Sequence, residues 1–300
     1  MHIESISSRV SPIFRRPGFQ ATAESAFAEA VNLTTPHGAA LALVSTRIGN
    51  GPLNAVVSHS QALALLSRGD TVSGDGAALS LGKGWRLALT PAVAWDPCPD
   101  YGRLARRPQV VACNLAWLRQ HLPLEAPQDS LAAGPQALTQ GAFGSRPSVA
   151  LVQARAGALT DGVRQGYQQG DLSQITAFAG QLAGLGPGLT PAGDDWLAGW
   201  LVGLRAAAAM NGDPSALDVQ AVGRTVVSSA RSRTSRLSLA FLQAAADGAV
   251  AQPWHDLLAA LADADPTPLR HAAAEIMRHG ATSGSDMLAG FLAAPFLAFP

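Results

Sequence analysis

A chain of 300 residues, 48% hydrophobic and only 14% charged, can bury a large core as one domain or two, which excludes a disordered protein. Its formal net charge is zero, and its one notable basic cluster is Arg103-Leu104-Ala105-Arg106-Arg107, so the electrostatic footprint of a nucleic-acid binder is missing. Two cysteines, Cys98 and Cys113, make neither a disulfide framework nor a zinc knuckle. The longest apolar stretches, 196–204 and 287–299, fall short of the ~20 residues that span a bilayer, and no apolar run of signal length follows Arg9, Arg15 and Arg16. These features predict a cytoplasmic protein with no membrane or nucleic-acid partner.

From Phe19 to about Trp95 the texture predicts strands, although 21–31 suits either state by pattern alone. The runs 39–45 and 53–57 flank the turn signal Gly49-Asn50-Gly51-Pro52 and read as paired strands. Residues 71–89 alternate apolar with small or polar side chains around glycine-rich turns, as hairpins do. Asn32, Asn50 and Asn54 lie in or beside the expected turns. The segment 96–100 breaks the strand texture. A helix is expected over 110–121, with Val111, Leu115 and Leu118 on one face, to cover the sheet or begin the next domain. The proline-, glycine- and glutamine-rich stretch 122–148 reads as a linker or short irregular pieces, with a soft boundary near residue 130.

Beyond Pro147 the chain is alanine-rich. Helices are expected at 149–169, 172–182, 191–210, 216–230, 235–246, 254–261, 268–278 and 283–294, with most glycine and proline breaks between them. The expected fold is therefore α+β: an antiparallel β domain over 1–130, then a helical bundle over 131–300.

The bundle carries Gly184-Leu185-Gly186-Pro187-Gly188-Leu189-Thr190-Pro191-Ala192-Gly193-Asp194-Asp195-Trp196-Leu197-Ala198-Gly199-Trp200. Alternating glycines give a backbone that accepts positive φ, and Thr190-Pro191 reads as an N-cap followed by proline at the first helical position. The pattern recurs at Thr282-Ser283-Gly284-Ser285-Asp286-Met287-Leu288-Ala289-Gly290-Phe291-Leu292, where Gly193 aligns with Gly284, Asp195 with Asp286 and Gly199 with Gly290. Small residues in both copies, among them Gly199, Gly203 and Gly290, would let the two helices approach closely. A weaker third relative is Ser232-Arg233-Thr234-Ser235-Arg236-Leu237-Ser238. Helix starts of one design can converge on a site for a small anion, because each presents unpaired N–H groups and the positive end of a dipole.

Acidic residues in a first helical turn complement the dipole by about 0.3–1 kcal/mol and need no further role. Against that plain reading stands Gly193, where alanine would favour the helix by up to ~1 kcal/mol. As functional groups, Asp194, Asp195 and Asp286 can hold Mg²⁺ through water, orient an amide or amine, or act as a general base. The glycine loop lacks a P-loop lysine and dinucleotide-fingerprint spacing, which leaves backbone capture of a small phosphate or carboxylate. Arg231, Arg233 and Arg236 surround Thr234-Ser235 as a solvated face, or as an anion clamp that relieves their conflict with the dipole. Thr282 and Ser283 read first as caps. The seven histidines lack metal-ligand spacing, so no metal site is expected from them, and no nucleophile-elbow motif is present.

The glycine and aspartate loop 184–195, the Thr234-Ser235 helix start and Gly280-Ala281-Thr282-Ser283-Gly284-Ser285-Asp286 resemble the bacterial AllH family, a subunit of oxamate carbamoyltransferase. A looser likeness runs through Ser25–Leu33 and Gly51-Pro52. The resemblance implies a member of a multi-subunit enzyme of allantoin breakdown, interconverting oxamate plus carbamoyl phosphate with oxalurate plus phosphate. It implies small carboxylate and phosphate ligands and companion subunits. On that reading Gly184, Gly186, Gly188, Thr190, Gly193, Arg231, Thr234, Ser235, Thr282, Ser283 and Gly284 bind substrate, and Asp195 with Asp194 or Asp286 positions the attacking nitrogen and takes its proton. The opposing reading is a non-catalytic scaffolding or small-anion-binding subunit.

Overall fold

The structure, a computed structural model, describes residues 1–82, 84–133, 147–211 and 218–295. The chain is α+β and divides into two compact units, residues 1–98 with 249–252, and residues 99–248 with 253–300. Residue 130 lies inside the second unit. Most of the expected linker, 134–146, and the start of the helix expected at 216 lie outside the described residues.

In the first unit, strands β1 (Ile3–Ser7), β2 (Phe19–Ala26), β3 (Ala30–Thr34), β4 (Ala40–Ser45), β5 (Asn54–Val57), β6 (Thr71–Gly74), β7 (Ala78–Ser80), β8 (Arg86–Ala88) and β9 (Val93–Trp95) form one sheet. A single helical turn, α1 (Ser11–Phe14), joins β1 to β2. The spatial order is β8-β7-β6-β2-β3-β4-β5-β1-β9. The ambiguous stretch 21–31 is strand: Phe19, Ala21 and Ala23 point inward while Gln20, Thr22 and Glu24 are exposed, the period-2 pattern of a half-buried strand. The hairpins of 71–89 are the antiparallel β6, β7 and β8.

The sheet is mixed, which corrects the expected antiparallel arrangement. β4 pairs with β5 in parallel, and β1 pairs with β9 in parallel. Residues 46–53 link β4 to β5, and eight extended residues reach about 26 Å, enough to return along a short strand. The turn is clamped by buried Asn54, whose Oδ1 accepts from Gly51 N at 2.8 Å and whose Nδ2 donates to Gly49 O at 3.1 Å. Both faces of β4 and β5 are buried, as parallel strands require. The sheet curls until Ala88 N in β8 donates to Met1 O at 3.1 Å, so the β8 edge meets the start of β1.

The second unit holds α2 (Pro108–Glu125), α3 (Pro147–Gln168), α4 (Leu172–Leu182), α5 (Ala192–Asn211), α6 (Val219–Ala230), α7 (Arg236–Ala246), most of α8 (Gln252–Leu261), α9 (Thr267–Met277) and α10 (Ser283–Leu292). Helix α2 packs on the short turn Leu131–Ala133 and on α10, and so belongs to the bundle. Local chemistry sets the helix starts: Asp171 accepts from Ser173 N and Gln174 N, Asp218 from Gln220 N, and Ser235 from Ser238 N.

The sequence repeat is a structural one, and it extends further back than the sequence match. Helix α4, a loop and α5 correspond to α9, a loop and α10. A Cβ on Gly193 would overlap the carbonyl oxygen of Leu182 at the end of α4, and one on Gly284 would overlap that of Ile276 at the end of α9. Between copies the contact is reciprocal: Gly199 of α5 lies against Met287 O, and Gly290 of α10 against Trp196 O. Glycine is required on both helices because the partner's backbone occupies the place of the side chain.

Gly199→Ala and Gly290→Ala should each destabilise the fold by about 3 kcal/mol or more, since the added methyl meets backbone that cannot rotate away. Urea denaturation checks this, and wild-type stability in either variant would refute the reciprocal contact.

A carboxyl pair at two converging helix starts

The close approach of α5 and α10 brings their first turns together. Thr190 Oγ1 and Ser283 Oγ lie 3.0 Å apart in a hydrogen bond between the two copies. Both hydroxyls also bond the Asp195 carboxyl, and Asp286 is near enough to act on Asp195 electrostatically. Asp194, Asp195 and Asp286 are all buried. The third related segment joins them, since Thr234, just before α7, and Ser238, in its first turn, both donate to Asp194 Oδ2, the latter at 2.8 Å.

Adjacent aspartates are treated in opposite ways. Asp194 Oδ1 accepts from Gly184 N at 3.0 Å, and its Oδ2 accepts the two hydroxyls, so it ties the glycine loop and α7 to the start of α5. Burial raises its pKa, and those three donors work against the rise. Asp195 Oδ2 is buried with no partner, as is Asp286 Oδ2. Asp286 Oδ1 accepts from Leu131 N at 2.6 Å, and the Thr282 hydroxyl bonds the same carboxyl. Burial pushes Asp286 up to about 7. Burial, and then the neighbouring carboxylates, drive Asp195 well above the usual carboxylate range. Burial thus favours the neutral form of both carboxyls over the ionised one.

The hydroxyl residues expected as caps divide. Ser235 caps α7 and also donates to Leu189 O at 3.0 Å. Thr190 turns to Ser283 and Asp195, and Thr282 supplies no side-chain cap to α10 because its hydroxyl goes to Asp286. Helix α5 itself begins at Ala192, and Pro191 O accepts from Asp194 N and Asp195 N.

Gly184, Gly186 and Gly188 all take positive φ. At Gly184 a Cβ would also overlap Arg233 O, so loop and α7 pack backbone to backbone there. Gly184, Gly193 and Gly284 are thus required by packing, whereas Gly188 has open space around it. Arg231, Arg233 and Arg236 are exposed, and among the described residues none pairs with a carboxylate of the cluster.

Two participants escaped the sequence reading. Ser238 was legible, being three residues after the N-cap Ser235 and so in the first turn of α7. The Leu131 N–H, from the short turn after α2, carried no side-chain signal. Among the described residues no group of three or more His, Cys, Asp or Glu could hold a metal ion. The free Oδ2 atoms of Asp195 and Asp286 are the atoms a hydrated Mg²⁺ would use, but two positive helix ends oppose a cation there.

The chain is α+β, and its helical part places a buried carboxyl pair and hydroxyls at two converging helix starts. Two family models match it: oxamate carbamoyltransferase subunit AllH over residues 182–295, and the AllH family N-terminal domain over residues 3–94. The chain belongs to the AllH family. No curated protein and no solved structure matches it significantly. No described helix is long and apolar enough to cross a membrane.

Asp194→Ala should destabilise by about 2–4 kcal/mol, because Gly184 N and the hydroxyls of Thr234 and Ser238 lose their acceptor together. An unchanged denaturation midpoint would refute this tethering role.

Asp286→Asn should have a pH signature. Between pH 3.8 and about 7 the folded chain keeps a proton that the unfolded chain releases. The neutral carboxyl's contribution is therefore complete below pH 3.8 and is lost as pH rises through 7. The shift of about three units corresponds to ~4 kcal/mol at most. Relative to wild type, the Asp286→Asn variant should gain stability on going from pH 5 to pH 8, as read from melting temperatures at both pH values.

Proposed function

We propose that this chain is a catalytic subunit of a carbamoyltransferase that interconverts oxamate plus carbamoyl phosphate with oxalurate plus phosphate, in the cytoplasmic breakdown of allantoin. Membership in a family described as a transferase subunit supports the general role and implies companion subunits. The single observation that carries the catalytic assignment is the pair Asp195 and Asp286, each with a buried, unpartnered carboxyl oxygen, at two joined helix starts.

On this reading the amide nitrogen of oxamate attacks the carbamoyl carbon. A C–N bond forms, the C–O bond to phosphate breaks, and the nitrogen gives up one proton. Ionised Asp286 takes that proton. Neutral Asp195 donates a hydrogen bond to the carbamoyl oxygen as negative charge develops on it. The dipoles of α5 and α10 and the N–H groups of the loop about Gly186, Gly188 and Thr190 favour the phosphate or the oxamate carboxylate. Asp194 acts one step back, holding the loop to α7.

The test is phosphate release from carbamoyl phosphate that depends on oxamate, measured for the chain alone and after reconstitution with its co-encoded companions. Asp286→Asn should lower kcat by about 10²–10⁴-fold with assembly intact, and the rise of wild-type kcat/KM through pH 7 should vanish in the variant. Normal turnover by an assembled complex carrying Asp286→Asn would make this a non-catalytic subunit. No oxamate-dependent release by the wild-type complex would remove the substrate assignment.

A further inference from the structure

The two carboxyls of the pair are held by different kinds of donor. Asp195 takes the hydroxyls of Thr190 and Ser283, which also bond each other. Asp286 takes the Thr282 hydroxyl and one main-chain group, Leu131 N, at 2.6 Å from Oδ1. A hydroxyl donates or accepts as it rotates, so it serves a neutral carboxyl as well as an ionised one. A main-chain N–H can only donate. Its bond is stronger to a carboxylate than to a neutral acid, and the oxygen that accepts it is a poor place for the acid proton, since a protonated oxygen is the weaker acceptor.

The donor is firmly placed. Leu131 opens the short helical turn Leu131–Ala133, which packs on α10 and α2. At the first position of such a turn the N–H has no partner inside the turn, so it is available to Asp286. Just before it, Ser130 is fully buried, and its N and Oγ both donate to Pro127 O, at 2.9 and 2.7 Å. Ala132 and Ala133 are buried as well, and Asp286 is fully buried with no partner for Oδ2.

Neighbouring charges do not replace this bond. Of the elements packed on α10, α5 brings Asp194 and Asp195, which are themselves carboxyls. The titratable side chains of α9 and α2 are engaged elsewhere: Glu275 with His271 and Arg278, Arg270 and His121 on the Trp117 ring, and Arg119 on Leu292 O. Glu125 is exposed. Desolvation holds the His279 imidazole, in the loop before α10, below its usual range, so it brings no charge near neutral pH. Of the groups that favour ionised Asp286, the Leu131 N–H counts most, ahead of the Thr282 hydroxyl.

We propose that Leu131 is a positioning residue of the carboxyl pair: its main-chain N–H keeps Asp286 Oδ1 as an acceptor, directs the exchangeable proton to Oδ2, and so selects Asp286, of the two, as the proton acceptor. The bearing on turnover rests on the carbamoyl-transfer reading, whereas the placement of the proton does not.

Titration of the Asp286 carboxyl in the full-length chain, read by ¹³C NMR of aspartate-labelled protein and assigned with Asp286→Asn, tests the proposal. Leu131→Pro removes the N–H at a position where proline suits the start of a helical turn. Replacing Leu131 by its α-hydroxy acid removes the N–H with the side chain kept, and decides the matter if the proline variant fails to fold. In a folded chain without the N–H the Asp286 midpoint should rise by about one pH unit or more, and Thr282→Val should raise it less. In the wild type the Leu131 amide proton should stay protected from exchange on both sides of the midpoint, because Oδ1 accepts in both states. After reconstitution with companion subunits, the kcat/KM profile of the chain lacking the N–H should move to higher pH in step. An unmoved midpoint in either folded variant, a larger shift in Thr282→Val, or amide protection lost below the midpoint would overturn the proposal. A moved midpoint with no oxamate-dependent turnover by the wild-type complex would uphold it and remove the carbamoyl-transfer reading instead.

Discussion

The arrangement of the helical unit rests on two glycines, each seated on a carbonyl of the opposite helix. Gly199 on Met287 O and Gly290 on Trp196 O are the same contact made twice, once from each copy of the repeat. Two helices that touch backbone to backbone leave little freedom for their first turns. The Thr190–Ser283 bond and the juxtaposition of Asp195 with Asp286 follow from that contact. Gly193 and Gly284 repeat the device inside each copy, fixing every helix of the pair to the end of the helix before it. Position in the carboxyl pair is thereby set by main-chain packing, the least compliant part of the structure.

All three aspartates are buried, and hydrogen-bond partners distinguish Asp194 from Asp195 and Asp286. At a helix start the dipole favours a carboxylate, by about 0.3–1 kcal/mol at the surface. Asp195 and Asp286 nevertheless have raised pKa values, with burial as the leading cause in each, so desolvation outweighs the dipole there. Asp194 receives three hydrogen bonds and serves as a tie. In the second copy its place is taken by Ser285, also buried, whose Oγ has no partner. The repeat is therefore symmetric in its unpartnered carboxyl oxygens and asymmetric where the third segment attaches.

What the amino-acid order discloses follows the range of the interactions involved. The helices, the repeat and the small-residue faces are local patterns, legible from periodicity and from glycine and proline breaks. The convergence of 190–195 with 282–286 was legible because one motif occurs twice. The parallel pairing of β4 with β5 was not, since a Gly-Asn-Gly-Pro turn between two apolar runs suits a hairpin and a return crossover alike. The bond from Leu131 N to Asp286 lay out of reach for a different reason: a backbone donor looks the same at every residue. Thr190 and Thr282 have the sequence of caps, and tertiary structure claims their hydroxyls for carboxyls instead.

The same electrostatics constrain the proposed chemistry. A phosphate drawn to the starts of α5 and α10 raises the pKa of both carboxyls further, because like charge disfavours ionisation. Asp286 can accept a proton in that complex only if positive charge offsets the phosphate. The helix dipoles supply part of it. Arg231, Arg233 and Arg236 head α7, which is bonded to Asp194 through Thr234 and Ser238, and they are exposed with no carboxylate of the cluster engaged. Cations placed there, or brought by a companion subunit, are what would make a buried carboxyl a competent base beside a phosphate. Net charge near zero over the whole chain is no obstacle, since the effect depends on charges within a few ångströms of the pair, where solvent screens least.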